Sequence, residues 1–187
     1  DMDSVGNVSF VDDSLSAKQG KIAEKLNSVQ HIVQISQLGN LAQYAPTDCP
    51  TREKHFWLGD ALSIAEEAML NYAVAPLFAN FLHIIADEQG HGTKYPLDFP
   101  NVVPVVVASQ IQQPSFKSFE ENNKAYGIND VSWTAAFPVI LDWMWKHYGD
   151  RRIVKELYDV SKSYVDWLHA EALHQLNSST VSFYQFG

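Results

Sequence analysis

Thirteen consecutive residues hold most of the reactive chemistry in this sequence: Asp48-Cys49-Pro50-Thr51-Arg52-Glu53-Lys54-His55-Phe56-Trp57-Leu58-Gly59-Asp60. Three carboxylates, a guanidinium and an indole fall inside that span, and the charged groups among them can bind and handle protons. Pro46 and Pro50 forbid a helix through its start, because proline fixes φ and has no backbone donor. Asp48 and Arg52 are therefore expected on a loop, and Asp60 at the mouth of the helix that follows. A loop held between helices is where catalytic groups are displayed. The ordinary alternative makes Asp48 and Asp60 helix caps and Trp57 a core residue, since capping is a common use of aspartate.

The elements that must position this span read as helices. Residues 1–14 are polar and acidic apart from Phe10 and Val11, and Ser14 is placed to cap the next element. From Leu15 to about Tyr44, apolar residues recur at Ile22, Leu26, Val29, Ile32, Val33, Ile35, Leu38 and Leu41. That spacing of three and four predicts an amphipathic helix, with Gln30, Gln34 and Gln37 between the apolar positions and Gly20 and Gly39 as points of bending. A second helix is predicted from about Gly59 to Val74. A third starts at Pro76, covers Leu77 to about Glu88, and is ended by Gly90 and Gly92. Residues 93–132 read as a long loop with one short strand in Val102–Val107 and a helical turn near Phe116–Lys124. A loop of that length in a compact domain is usually functional. A fourth helix, Trp133 to Tyr148, has Trp133, Phe137, Ile140, Leu141, Met144 and Trp145 as its apolar stripe and is closed by Gly149. Asp150 opens a fifth to about Leu176, with Ile153, Leu157, Val160, Tyr164 and Leu168 on one face. Residues 177–187 read as a turn and a strand. The fold class expected is all-α, with five substantial helices.

Composition narrows the partners. The 187 residues are 46% hydrophobic and 12% aromatic, enough for one domain with a sizeable core. A formal net charge of −9 argues against nucleic acid and against an anionic membrane surface, both of which call for a basic patch. Cys49 is the only cysteine, so no disulfide forms within the chain. No apolar run approaches the ~20 residues of a membrane span. The start, Asp1-Met2-Asp3, shows no basic-then-apolar leader.

The thirteen residues resemble the D-C-P-x-R-[DE]-x…W-x-G-D signature of the α-L-rhamnosidases of glycoside hydrolase family 78. Asp48, Cys49, Pro50, Arg52, Glu53, Trp57, Gly59 and Asp60 stand where that signature has them. Looser similarity runs from about Leu26 to Gly187, through Asn71-Tyr72, Asp87-Glu88-Gln89, Val102-Val103-Pro104, Ser132-Trp133 to Pro138, and Tyr148-Gly149-Asp150. The resemblance implies an (α/α)6 barrel, of which five helices are about the first half. Residues 1–187 are then expected to be part of a single (α/α)6 catalytic domain, cut at its C-terminal end, because the family commonly continues from the glycine matching Gly187 into Asp-Trp.

The chemistry implied is inverting hydrolysis of a rhamnose-containing glycoside, with release of terminal α-L-rhamnose. That reaction uses two carboxyl groups ~6.5–9.5 Å apart, one a protonated acid and the other a base that activates water. By resemblance Glu53 is the acid, its proton retained through burial or neighbouring carboxylates. Asp48 and Asp60 accept hydrogen bonds from the sugar, Arg52 orients a carboxylate or donates to a hydroxyl, and Trp57 packs on the apolar face and methyl group. Trp133 is assigned to the aromatic wall, whereas Trp143 and Trp145 are expected in the core. No metal or cofactor is implied. The family's base is a glutamate far downstream, and neither Glu156 nor Glu171 matches its context. Two positions after Trp133, where many members carry an acid, this chain has Ala135.

Two other readings compete. Glu88-Gln89-Gly90-His91 and Glu171-Ala172-Leu173-His174 are both Glu-x-x-His, and with Glu66 or Glu67 and Glu156 they could complete a ferritin-like di-iron set. Gly90 and Gly92 weigh against it by breaking the helix that must show the first pair on one face. Otherwise His91 and His174 are solvated helix ends. The third reading is a non-catalytic helical fragment or assembly module. Its apolar seam would recruit the remainder of a parent chain or a second copy.

Overall fold

The computed structural model describes residues 17–42, 45–52, 54–91, 93, 95–103 and 130–177. Helices α1 (Ala17–Asn40), α2 (Leu58–Asn71), α3 (Ala75–Asp87), α4 (Val131–Thr134), α5 (Ala136–Tyr148) and α6 (Arg151–Asn177) dominate them. Strands β1 (Phe56–Trp57) and β2 (Val102–Val103) pair antiparallel. The predicted helical turn near Phe116–Lys124, the end of the predicted strand, and the terminal residues 1–16 and 178–187 lie outside the described residues.

Local signals set most boundaries. Pro76 stands in the first turn of α3, where its missing N–H costs nothing. The Asp150 carboxylate accepts from the N–H groups of Arg152 (3.0 Å) and Ile153 (3.1 Å) and so opens α6. Gly149, at φ 62°, takes the left-handed conformation that ends α5. The single helix expected over 133–148 is broken into α4 and α5 at Ala135. Asp130 starts the turn two residues early by accepting from Ser132 N–H (2.9 Å). Pro138 has no N–H to return to the Thr134 carbonyl, which interrupts the ladder. Gly20 and Gly39, expected to bend the first helix, lie inside α1.

Helix α5 is the centre of the packing and touches α2, α3 and α6. Its Phe137, Ile140, Leu141 and Met144 meet Ala61, Ala65 and Ala68 of α2, Phe78, Phe81 and Ile85 of α3, and Ile153 and Leu157 of α6 in one buried cluster. Phe99, from the segment before β2, closes one end against Phe137 (4.8 Å between ring centroids) and Tyr164 (4.9 Å). No helix among the described residues is long and apolar enough to cross a membrane.

Helix α1 reverses the expected arrangement. Ile22, Leu26, Val29, Ile32, Ile35 and Leu38 are exposed, Ile32 at 66%. The glutamines turn inward instead. Gln37 is 4% exposed and donates to the Ile64 carbonyl (3.3 Å). Asn71 of α2 donates to Gln37 Oε1 (3.3 Å) and accepts from Gln30 Nε2 (3.2 Å). The Tyr72 hydroxyl donates to the Gln34 carbonyl (2.8 Å). Periodicity locates an apolar stripe but not its direction. Here α2 offers amide and hydroxyl groups, so the complementary face of α1 is the polar one.

Two measurements check this description. Asn71→Ala leaves the buried Gln37 Oε1 without its donor and is expected to lower stability in urea by about 1–3 kcal/mol. The second concerns Tyr164, whose hydroxyl bonds Thr134 Oγ1 at 2.7 Å. Burial pushes its phenol up to about 12; the Thr134 hydrogen bond opposes this, and the charge of Asp98 adds to it. The unfolded phenol ionises near 10, so stability is full below that pH and falls as pH rises toward 12, by roughly 2–3 kcal/mol. Urea melts at successive pH values should show that decline in the native chain and a flatter one in Tyr164→Phe.

Candidate active site

The span from Asp48 to His55 is a closed loop. Asp48 N–H donates to the His55 carbonyl (3.0 Å), and Lys54 N–H donates to the Cys49 carbonyl (3.1 Å). Closure puts Lys54 at φ 59°, a left-handed backbone that costs a non-glycine residue about 1–2 kcal/mol. The Asp48 carboxylate is the internal tie. Its Oδ1 accepts from His55 N–H (2.9 Å) and from the Thr47 hydroxyl (3.2 Å), and its Oδ2 accepts from the Cys49 thiol (3.0 Å). Thr47 N–H in turn donates to the Asn40 carbonyl at the end of α1 (2.8 Å). Asp48 therefore caps no helix.

Asp60 is not the N-cap residue of α2. The N-cap of α2 is Trp57, without a side-chain cap bond. The Leu58 N–H is met by the Asn101 carbonyl (2.9 Å), because β1 runs straight into α2 and the residue before β2 continues the ladder. Asp60 lies one turn in, half-buried, where the positive end of the helix dipole favours a carboxylate. Arg52 is exposed in the turn ahead of β1. Glu53 lies outside the described residues.

The strand pair aims the aromatic groups. Register sets Trp57 opposite Val102 and Phe56 opposite Val103. Side chains alternate along a strand, so Trp57 and Val102 share one face. Trp57 is buried, and the Trp133 ring meets it edge-on at 5.4 Å and 79°. The His55 ring stands 6.3 Å from Trp57 on the loop side. Trp133 can come this close because position 59 is glycine: a Cβ there would lie 2.6 Å from Trp133 Cε2. The structure thus joins Asp48, Arg52, Trp57 and Asp60 on one loop-to-helix segment and brings Trp133 to it from α4.

Sequence reasoning missed Thr47, Cys49 and His55 as the groups that hold Asp48. A threonine beside an aspartate was a faint local signal. The His55 contact had none, since it depends on the backbone at Lys54. Trp143 packs against the core as expected. Trp145 does not: it is 43% exposed, with the Arg151 guanidinium 5.2 Å over its ring. It lies one residue past the inward Met144, a rotation of about 100° along the helix.

The residues of the di-iron reading disperse. Glu66 of α2 pairs with His147 of α5 (3.2 Å), Glu156 of α6 with His83 of α3 (3.5 Å), and Glu88 with its neighbour His91 (3.2 Å). Among the described residues no three His, Cys, Asp or Glu side chains group as metal ligands.

The Trp57–Trp133 contact gives a direct check. Gly59→Ala should drive the Trp133 indole off Trp57 and lower stability by about 1–3 kcal/mol, the usual cost of overpacking. Near-ultraviolet circular dichroism reports the ring pair, and an unchanged spectrum would show that the contact does not depend on Gly59.

Residues 22–185 match the model of the bacterial alpha-L-rhamnosidase 6 hairpin glycosidase domain. Two curated proteins of Formosa agariphila, both called alpha-L-rhamnosidase, are similar. One is 29% identical over 121 residues, 63% of this chain and 11% of its own length; the other is 28% identical over 145 residues, 76% and 13%. A solved alpha-L-rhamnosidase from Dictyoglumus thermophilum matches 88% of this chain with a TM-score of 0.63 at 29% identity, over 16% of its own length. The chain thus spans a small part of each of these relatives. The mostly helical architecture agrees with an α/α barrel, and since the family model matches residues 22–185 of the 187, this chain belongs to the bacterial α-L-rhamnosidase six-hairpin glycosidase family.

Proposed function

We propose that this chain forms part of the sugar site of an α-L-rhamnosidase, which releases terminal α-L-rhamnose from a rhamnose-containing glycoside by inverting acid/base hydrolysis. The observation that carries the reading is the closed loop with a fixed Asp48 carboxylate, which leads directly into the Trp57–Trp133 aromatic pair. Such a pairing of a polar anchor and an apolar wall suits a 6-deoxy sugar, which has hydroxyls on one part and a methyl group on another.

In this reading Asp48 and Asp60 accept hydrogen bonds from the hydroxyls. Arg52 donates to a hydroxyl or orients a carboxylate, and Trp57 and Trp133 meet the apolar face. Glu53 protonates the leaving oxygen. Water attacks the anomeric carbon from the opposite side after losing a proton to a second carboxylate, which inverts the configuration. Glu156 is engaged by His83 and by Arg152 (3.4 Å), in an environment of a surface helix. No residue of this chain is assigned as the base, which the resemblance gives as a glutamate far downstream of the signature.

A second reading has one observation in its favour. The aliphatic residues that α1 exposes suit an assembly module that keeps the signature without turnover.

Hydrolysis of an aryl α-L-rhamnoside by this chain, beside its Glu53→Gln variant, separates the two. With the base supplied by a second copy or the remainder of a parent chain, turnover with release of the inverted sugar should fall at least about 100-fold in Glu53→Gln, as expected for a general acid. Turnover that survives Glu53→Gln would remove Glu53 from the acid role. A folded chain that neither hydrolyses the glycoside nor binds L-rhamnose favours the assembly module.

A further inference from the structure

Asp48 is held from both sides by its own neighbours. The Thr47 hydroxyl donates to Oδ1 (3.2 Å) and the Cys49 thiol to Oδ2 (3.0 Å), while the His55 N–H supplies a further bond to Oδ1 (2.9 Å). A carboxylate on a loop has two rotatable bonds, and rotation would exchange its oxygens. With a donor fixed on each oxygen, that exchange costs hydrogen bonds to a charged group, which are among the stronger ones in proteins.

Thr47 is the better anchored of the two. It is buried, and its N–H is tied to the Asn40 carbonyl at the end of α1 (2.8 Å). Through Thr47 the carboxylate is tied to the end of a helix as well as to the loop. Cys49 is half-buried, and a thiol is a weak donor. It steadies Oδ2 without competing strongly with a hydroxyl.

We infer that Thr47 and Cys49 are positioning residues that pre-orient the Asp48 carboxylate for the sugar, with the Thr47 hydroxyl the main contributor. This rests on the sugar-site reading of Asp48. A carboxylate already fixed in the free protein loses little freedom when a hydroxyl binds, so the ordering cost is met at folding rather than at binding. The effect acts on affinity, and it needs the hydroxyl of residue 47 rather than its shape.

The test uses the whole chain, labelled with 15N, with L-rhamnose as ligand. Thr47→Val keeps the shape and loses the donor; Thr47→Ser keeps the donor. The amide exchange rate of His55 reports the Asp48 tie without any ligand. Thr47→Val is expected to speed it by about tenfold and to weaken rhamnose binding by about five- to tenfold, the net scale of one ordinary hydrogen bond. Thr47→Ser should restore both. Should Thr47→Val not fold, Cys49→Ala is expected to weaken rhamnose binding about two- to threefold, with recovery in Cys49→Ser. Equal rhamnose affinity in the native chain and Thr47→Val, or in the native chain and Cys49→Ala, overturns the inference. A native chain that binds no rhamnose, while His55 exchange still responds to Thr47→Val, sinks the sugar reading. In that event the hydroxyl is a structural tie alone, and the positioning role falls with it.

Discussion

Helix α2 packs on α5 through a face of alanine. Ala61, Ala65 and Ala68 are fully buried, and with so little side chain between them α2 and α5 pack closely. The large residues come from the other side, as Phe137, Ile140 and Met144 of α5. That contact has a consequence one turn away. Helix α4 leads directly into α5, so seating α5 on α2 also carries Trp133 to the first turn of α2. Gly59 is where the indole arrives, and any Cβ there would occupy the same space. A core contact of small residues against large ones thus sets the distance between Trp133 and Trp57.

The second constraint is electrostatic and local. The loop before β1 could take many shapes, and proline alone does not select one. Selection comes from the Asp48 carboxylate, which gathers donors from Thr47, Cys49 and His55, and from two backbone bonds that close the ring. The left-handed backbone of Lys54 opposes this, and the hydrogen bonds offset its strain. Backbone strain of this kind persists where the surroundings over-determine a conformation, which is common at binding sites. The short β1–β2 pair then passes the loop to α2 without a capping side chain, as the Asn101 carbonyl already meets the first N–H.

Helix α1 is attached by different means. Its amide side chains meet Asn71 and the Ile64 carbonyl, and its Gln34 carbonyl meets the Tyr72 hydroxyl. Hydrogen bonds are directional where apolar contact is not, so this seam specifies how the helix is rotated as well as where it lies. The aliphatic residues outside the seam are left on the surface.

Most of the helices, the Asp150 cap and the residues of the signature were legible in the sequence, because these depend on groups close together in the chain. Three- and four-residue spacing needs no partner to be recognised, and neither do Pro76 at a helix start, Asp150 at an N-cap or Gly149 at a left-handed stop. Tertiary structure decided what faces what. Periodicity put an apolar stripe on α1 but could not say that α2 would present amides to it, and so the polar face turned inward. Trp145 belongs to the same stripe as Met144 by type, yet one residue of helical rotation separates buried from exposed. Trp133 reaches Trp57, and His55 reaches Asp48, only after the backbone has closed. A side chain's type is local information, whereas its partner is a property of the packed whole.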